Sequence, residues 1–555
     1  MTSAETSTLS EATTPSRGIR NPVLAGFHPD PSILRVGNDY YIATSTFEWY
    51  PGVRVHHSTN LVDWTPLGGA LDDKRLLDLT GTGDSNGVWA PNLSYAHGEF
   101  HLLYSDVATF AGGYWDPQNF LVTGPGPTGP WSDPVVLHGR GFDASLFHDD
   151  DGTTWMLSMV ADWRPGRNRF GGISIQQYDR ATRKLVGPEH MIFTGTAAGV
   201  TEAPNLYRKD GWYYLVTAEG GTSWEHQVTV ARSSHVLGPY LADPVGPLLT
   251  SAGDPSLTLQ KAGHGSLVET PDGQWYLAHL VGRPYTPRGR CVLGRESAIQ
   301  EVTWTDEGWP RITDGTPADI VPAPIGVKVP AEAPVSSEHL EDDDFDAPQL
   351  GVNWSTLRRP ATPDWVSLSE RPSHLRIHGG RSPMGRHQPS LVARRVVATD
   401  GEFEATMEFT PRNYRQLAGI TAYYNTRNWY FLHITADDDG TPILDLLTCD
   451  SGQVTVVPGV RTPAPLTPVR LRLRFAGPSL SFSYAFNSAT ETAEWHNAGP
   501  SLDATTLSDE YAAQVINGEP AAWGFTGAFA GLWVQDLGRE GAYADFDRAS
   551  YRATT

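Results

Sequence analysis

A five-fold echo constrains this chain more than any other feature. A small polar residue followed by an aliphatic one recurs as Ser32-Ile33, Asn92-Leu93, Ser145-Leu146, Asn205-Leu206 and Ser266-Leu267. Each pair is followed by a turn glycine (Gly37, Gly98, Gly152, Gly211, Gly273) and then an apolar run such as Tyr40-Tyr41-Ile42 or Trp275-Tyr276-Leu277. The glycine spacings are 61, 54, 59 and 62 residues. Strand, tight turn, strand is a hairpin signature. Five hairpins at a near-constant long period predict radial repetition, a five-bladed β-propeller.

What varies across the echo carries the chemistry. Two or three residues before each small polar position stand Asp30, Trp89, Asp143, Glu202 and His264. Equivalent positions of blades converge on the central axis, so three carboxylates, an indole and an imidazole are expected in one pit. Packing gives no reason to bury acids at equivalent inward positions, and acids are rarely buried without a task or a partner.

Composition narrows the partners. Over 555 residues the net charge is −22, which argues against nucleic acid or an anionic membrane, since both require a basic face. Eighteen Trp and 21 Tyr on an acidic chain suit a neutral ligand such as a sugar, although most of these aromatics are expected in the core. The two cysteines, Cys291 and Cys449, lack disulfide or zinc spacing, and Met1 to Ser16 contains no apolar secretory core. Both favour a cytoplasmic location.

In chain order, residues 1–20 read as a disordered lead-in and 21–324 as the propeller. Residues 325–344, rich in Pro, Ala and acids, read as a linker. In 345–555 the alternation is cleaner. Phe403, Ala405, Met407 and Phe409 alternate with polar residues. So do Val469, Leu471, Leu473 and Phe475, and then Leu480, Phe482, Tyr484 and Phe486. Period two with one polar face predicts half-buried antiparallel strands and a β-sandwich, read as an accessory or packing module. The fold class is therefore all-β.

Single motifs leave alternatives open. Asp30, between two prolines in His28-Pro29-Asp30-Pro31, fits a rigid general base and fits an Asx-turn equally. Asp143 and Glu202 could supply an acid whose pKa a second carboxylate raises. His264 sits between glycines that permit close approach of a ligand or ion, and any metal there would rest on one histidine plus water. Arg295 reads as a grip on sugar hydroxyls or as a surface ion pair with Glu296. The acidic runs Asp149–Asp151 and Asp342–Asp344 read as solvated turns.

Taken together and in order, the motifs resemble glycoside hydrolase family 43, in its β-xylosidase and α-L-arabinofuranosidase branch. The carrying stretches are Asn21 to Ser32, Thr46 to Val53, Val88-Trp89-Ala90-Pro91, Gly141-Phe142-Asp143, Leu215 to Thr222, Lys261 to Gly265 and Leu293 to Glu296. The resemblance implies a five-bladed propeller followed by a concanavalin-like β-sandwich. It implies Asp30 as general base, Asp143 as pKa modulator and Glu202 as general acid. It implies sugar contacts at Phe47, Trp89, Ala90, Phe142 and Arg295, with His264 beside them, and Phe525 of the sandwich closing the pocket. In some relatives the His264 position helps hold calcium or another divalent ion through water, and no cofactor is required otherwise. Relatives often form dimers or tetramers.

Departures lie at Ala203-Pro204-Asn205 after the acid, at Ala144 in place of proline and at Ser266 in place of aspartate. The implied activity is exo-acting, inverting release of xylose from the non-reducing end of β-1,4-xylo-oligosaccharides. The alternatives are an α-L-arabinofuranosidase, or an enzyme with both activities. A retaining fructosidase lacks its Glu-Cys pair here. A non-catalytic sugar-binding propeller gains little from three crowded acids.

Overall fold

The computed structural model describes residues 18–110, 114–329, 336–486, 494–516 and 519–554, without the side chains of 516 and 519–521. Five four-stranded antiparallel units follow one another, the fourth with one added short strand. Their innermost strands are Ser32–Val36, Gly87–Ala96, Ser145–His148, Glu202–Lys209 and Gln260–Glu269. These are the blades, numbered 1 to 5. All five turn glycines take positive φ, between 64° and 87°, as tight hairpin turns demand.

The small polar residues of the echo turn out to be the ring that joins the blades. Leu93 N–H donates to Ser32 Oγ (3.0 Å), linking blade 2 to blade 1. Leu146 N–H donates to Asn92 Oδ1 (3.0 Å), and Ser145 Oγ donates to the Pro204 carbonyl (2.6 Å). Asn205 Nδ2 donates to the Gly265 carbonyl (3.3 Å), and Ile33 N–H donates to Ser266 Oγ (3.2 Å), which closes the circle. Inward strands at a crowded axis have no room for large side chains and leave backbone groups that need partners. A short polar side chain meets both conditions.

The ends of the propeller are also tied. Gly18–Arg20 pairs antiparallel with Ile320–Pro322, and Ile19 is fully buried. This corrects the lead-in expected over 1–20: residues 18–20 are a strand, held because Ile19 packs into the core that Val321 also joins. Residues 1–17 lie outside the described residues.

The C-terminal part builds two nine-stranded antiparallel sheets, one of which takes in a short strand from the propeller region. Asp400–Phe409 and Val469–Ala476 alternate buried and half-exposed along their length as the sequence predicts. Ser479–Phe486 departs from that pattern. Leu480 and Phe482 are buried, but Ala485 takes the next buried place while Tyr484 and Phe486 are half-buried against each other, ring centroids 4.9 Å apart.

The linker expected over 325–344 is also revised at its end. Leu340–Asp343 is a strand paired with Tyr543–Thr554. Asp342 is therefore not in a solvated turn but ion-paired with Arg548, and Asp343 accepts from the Trp354 indole (2.8 Å). Asp149 also departs from the solvated turn: it is buried, bonded by Tyr213 Oη (2.8 Å) and Arg208 (3.0 Å), while Asp150 and Asp151 are exposed.

The two parts share one core. Trp49–Tyr50, from the blade 1 region, pairs with Ser355–Leu357 at the edge of a sandwich sheet. The Trp49 indole stacks on Phe529 at 3.8 Å. Arg395 donates to the Phe27 carbonyl (2.7 Å). Buried Glu338 accepts from His28 (3.1 Å) and lies 3.4 Å from His56. The sandwich is thereby bolted to the segment that carries Asp30.

Candidate functional site

The inner ends of the blades repeat an unusual backbone turn. Asp30, Asp143, Ala203 and His264 all take φ between 50° and 57°. In blades 2, 4 and 5 the pairing of the innermost strand also slips here, between Trp89 and Asn92, Glu202 and Asn205, and Gly263 and Ser266. Non-glycine residues rarely adopt this region, and such strain collects where side chains are re-aimed for function. Each bulge shifts the pairing register just before the small polar residue, beside a side chain that lines the axial cavity.

The result is one cavity of about 270 Å3. Asp30, Phe47, Trp89, Ala90, Phe142, Asp143, Glu202, His264, Arg295 and Phe525, the ten residues singled out from the sequence, all line it. Asp30 is held tightly: Ser45 Oγ donates to its Oδ2 at 2.6 Å, and its Oδ1 lies 3.5 Å from His264 Nδ1 and 3.6 Å from Arg295 Nη1.

Burial raises the pKa of Glu202 well above the ordinary carboxylate range, and the charges of Asp143 and Asp30 raise it further. Asp143 is pushed the same way, first by burial and then by Asp30. Arg295 pulls both back down. Like-charge repulsion is therefore the second cause of these shifts, behind desolvation.

Arg295 is buried and does not pair with Glu296. Glu296 is taken by Arg283 in a two-pronged contact of 2.6 and 2.7 Å, leaving the Arg295 guanidinium inside the cavity. Arg295 donates to Thr222 Oγ1 and to the Phe525 carbonyl, both at 2.9 Å, and lies over the Phe525 ring at 4.8 Å. Phe525 N–H donates in turn to Ser85 Oγ (3.0 Å). The sandwich thus supplies one wall of the pit, a closer role than an accessory module.

A divalent ion at His264 finds little support in the donor set. His264 offers one nitrogen, and Ser266 Oγ is already bonded to Ile33 N–H. Calcium takes six to eight oxygen ligands. The residues here would leave nearly all of that shell to water, so no chemistry is drawn through an ion. Among the described residues the group of three possible ligands is elsewhere, at His28, His56 and Glu338.

Sequence reasoning missed part of the wall: Phe110, Trp115, Arg169, Phe170, His226 and Trp523 also line the cavity. None stands at a repeated position. Trp523 carried a usable signal, lying two residues before Phe525 with its ring stacked on it at 5.2 Å.

Comparison with known proteins agrees with this geometry. The family description glycosyl hydrolases family 43 matches residues 19–310, and the beta xylosidase C-terminal concanavalin A-like domain matches 342–552. The chain is 43% identical over 545 residues to a beta-xylosidase of Bacillus subtilis (strain 168), covering 96% of this chain and 99% of that one. It is 43% identical over 541 residues to a xylosidase/arabinosidase of Humicola insolens, covering 96% and 97%. A crystal structure of xylan beta-1,4-xylosidase from Bacillus halodurans C-125 superposes with a TM-score of 0.91 at 46% identity, covering 96% of this chain and all of that one. With matches over both halves and a common architecture throughout, the chain belongs to glycosyl hydrolase family 43 and is a glycosidase built as a five-bladed propeller with a concanavalin-like sandwich.

Proposed function

We propose that the protein is an exo-acting, inverting β-xylosidase that releases xylose from the non-reducing end of β-1,4-xylo-oligosaccharides. The observation that carries this reading is the set of three carboxylates in one small pit closed on one side by Phe525. At about 270 Å3 the cavity is at the low end of ligand pockets, roughly 300–1,000 Å3. That size suits the end of a sugar chain better than its middle.

In this reading Glu202, kept protonated by burial and by its acidic neighbours, donates its proton to the leaving oxygen. Asp30, fixed by Ser45, takes a proton from a water that attacks the anomeric carbon from the opposite face. Asp143 sustains the acidity balance and orients the acid. Arg295 and the aromatic walls of Phe47, Trp89, Phe142 and Phe525 bind the sugar and exclude bulk water, which strengthens every charge interaction inside. The developing oxocarbenium charge is met by the two carboxylates, and no step needs a cofactor.

The similarity to a xylosidase/arabinosidase favours a second activity on α-L-arabinofuranosides. Proton NMR on xylobiose tests the main reading. α-Xylose is expected first, and Glu202→Ala is expected to lose most of the turnover. β-Xylose first would overturn inversion. Paired assays on nitrophenyl xyloside and nitrophenyl arabinofuranoside measure the second activity.

A further inference from the structure

Two aromatic side chains stand in solvent beside the pit. Tyr114 is 63% exposed and Trp163 54% exposed, and their rings face each other at 4.9 Å with a 50° tilt. Exposed aromatic surface is a feature that asks for a partner.

Their position is specific. Tyr114 immediately precedes Trp115, which lines the cavity, at the approach to the blade 2 strand Asp116–Gly124. Trp163 lies in a blade 3 loop whose neck is closed by a hydrogen bond from Asp162 N–H to the Arg169 carbonyl (3.0 Å). Arg169 and Phe170, at the far side of that neck, also line the cavity, and Phe170 meets Trp115 at 5.2 Å. Each of two neighbouring blades thus puts one aromatic into the cavity wall and a second one outside it.

We propose that Tyr114 and Trp163 form an outer sugar platform, contacting the second leaving-group residue of xylo-oligosaccharides longer than the disaccharide. The proposal rests on the xylosidase reading above. An end-on substrate puts its terminal sugar against the three acids. Its first leaving residue then lies between Trp115, Phe170 and Trp523. The next residue emerges over the rim, where these two rings stand.

The chemistry fits a neutral sugar. Tyr and Trp offer wide, stiff apolar faces with a polar tip, suited to a ring with C–H groups on its face and hydroxyls at its edge. The nearest charges in the loop compensate each other, Arg164 being bonded to Asp162 at 2.7 and 2.6 Å. A surface for self-association is the competing use of such a patch.

The test compares kcat/KM of the full-length protein for xylobiose, xylotriose and xylotetraose. Xylobiose fills the pit and the first leaving position only, and is the internal reference. The expected result is a triose-to-biose ratio above one in the wild type. Trp163→Ala is expected to lower that ratio about five-fold, the scale of one aromatic contact, and Tyr114→Ala to lower it less. Trp163→Phe should keep most of the ratio. A ratio unchanged in both alanine variants would overturn the platform. If the same variants changed the molar mass by light scattering and left the ratio unchanged, the patch would be a contact between copies instead. A wild type inactive on xylobiose would overturn the underlying xylosidase reading, a result distinct from either.

Discussion

At the scale of single residues, the site is governed by how three acids share one buried space. Glu202 and Asp143 are both driven toward the neutral form by burial, with the charge of Asp30 adding to both, that of Asp143 adding to Glu202, and Arg295 opposing. The direction of each effect can be tested on the alkaline limb of the pH–rate profile, which reports loss of the acid's proton. Asp143→Asn removes a negative neighbour, lowers the pKa of Glu202 and moves that limb to lower pH. Arg295→Gln removes the opposing cation and moves it to higher pH, with turnover reduced in both. Shifts in the same direction would mean that Glu202 is not the group titrating. Residues of this kind were legible because they stand at repeated positions. The remaining wall aromatics were not, because Phe110, Trp115 and Phe170 belong to loops and strand ends whose relation to the axis only folding sets.

At the scale of elements, the blades are joined by side chains too short to attract notice individually. The bond from Ile33 N–H to Ser266 Oγ is the ring's own link from blade 5 back to blade 1, beside others such as that from Arg35 Nε to the Glu269 carbonyl. Ser266→Ala leaves a buried N–H without that acceptor and is expected to cost about 1–3 kcal/mol, read as a lower midpoint in urea unfolding. Ser266→Asn, as found in two other blades, should recover part of it. A midpoint unchanged in the alanine variant would mean that the ring is incidental to stability. The repeat was visible because its residue types recur at constant order, while its purpose depended on contacts about 60 residues apart. The sandwich strands were visible through alternation alone. The short strand Trp49–Tyr50 was not, since two residues carry no period and its partner, Ser355–Leu357, is some 300 positions away. The same distance hid the role of Glu338, which the composition of its surroundings assigned to a linker.

At the scale of the whole molecule, several histidines are buried in their neutral form. Burial lowers His28, His148 and His226 to about 3, and His138, His279 and His433 to about 4. In the unfolded chain each would bind a proton near 6.5. As pH falls below that value the unfolded state takes up protons that the folded state refuses, so stability declines progressively down to the folded values. The thermal midpoint is therefore expected to fall steeply between pH 7 and pH 5, in a calorimetric scan at fixed ionic strength. A flat midpoint across that range would contradict the buried neutral state of these imidazoles.

The wall formed by Phe525 has a consequence in time. The acids belong to the first 202 residues, but Phe525 follows more than 300 positions later, and its neighbouring strand Phe529–Asp536 sits between Leu391–Arg395 and Gln416–Asn425 in the middle of a sheet. During synthesis the pit stays open on that side until Phe525 and the strand Phe529–Asp536 have left the ribosome. Chains interrupted before Phe525 carry all three acids yet lack the enclosure that makes them a chemical unit, so hydrolytic competence waits for a segment made more than 300 positions after the last acid.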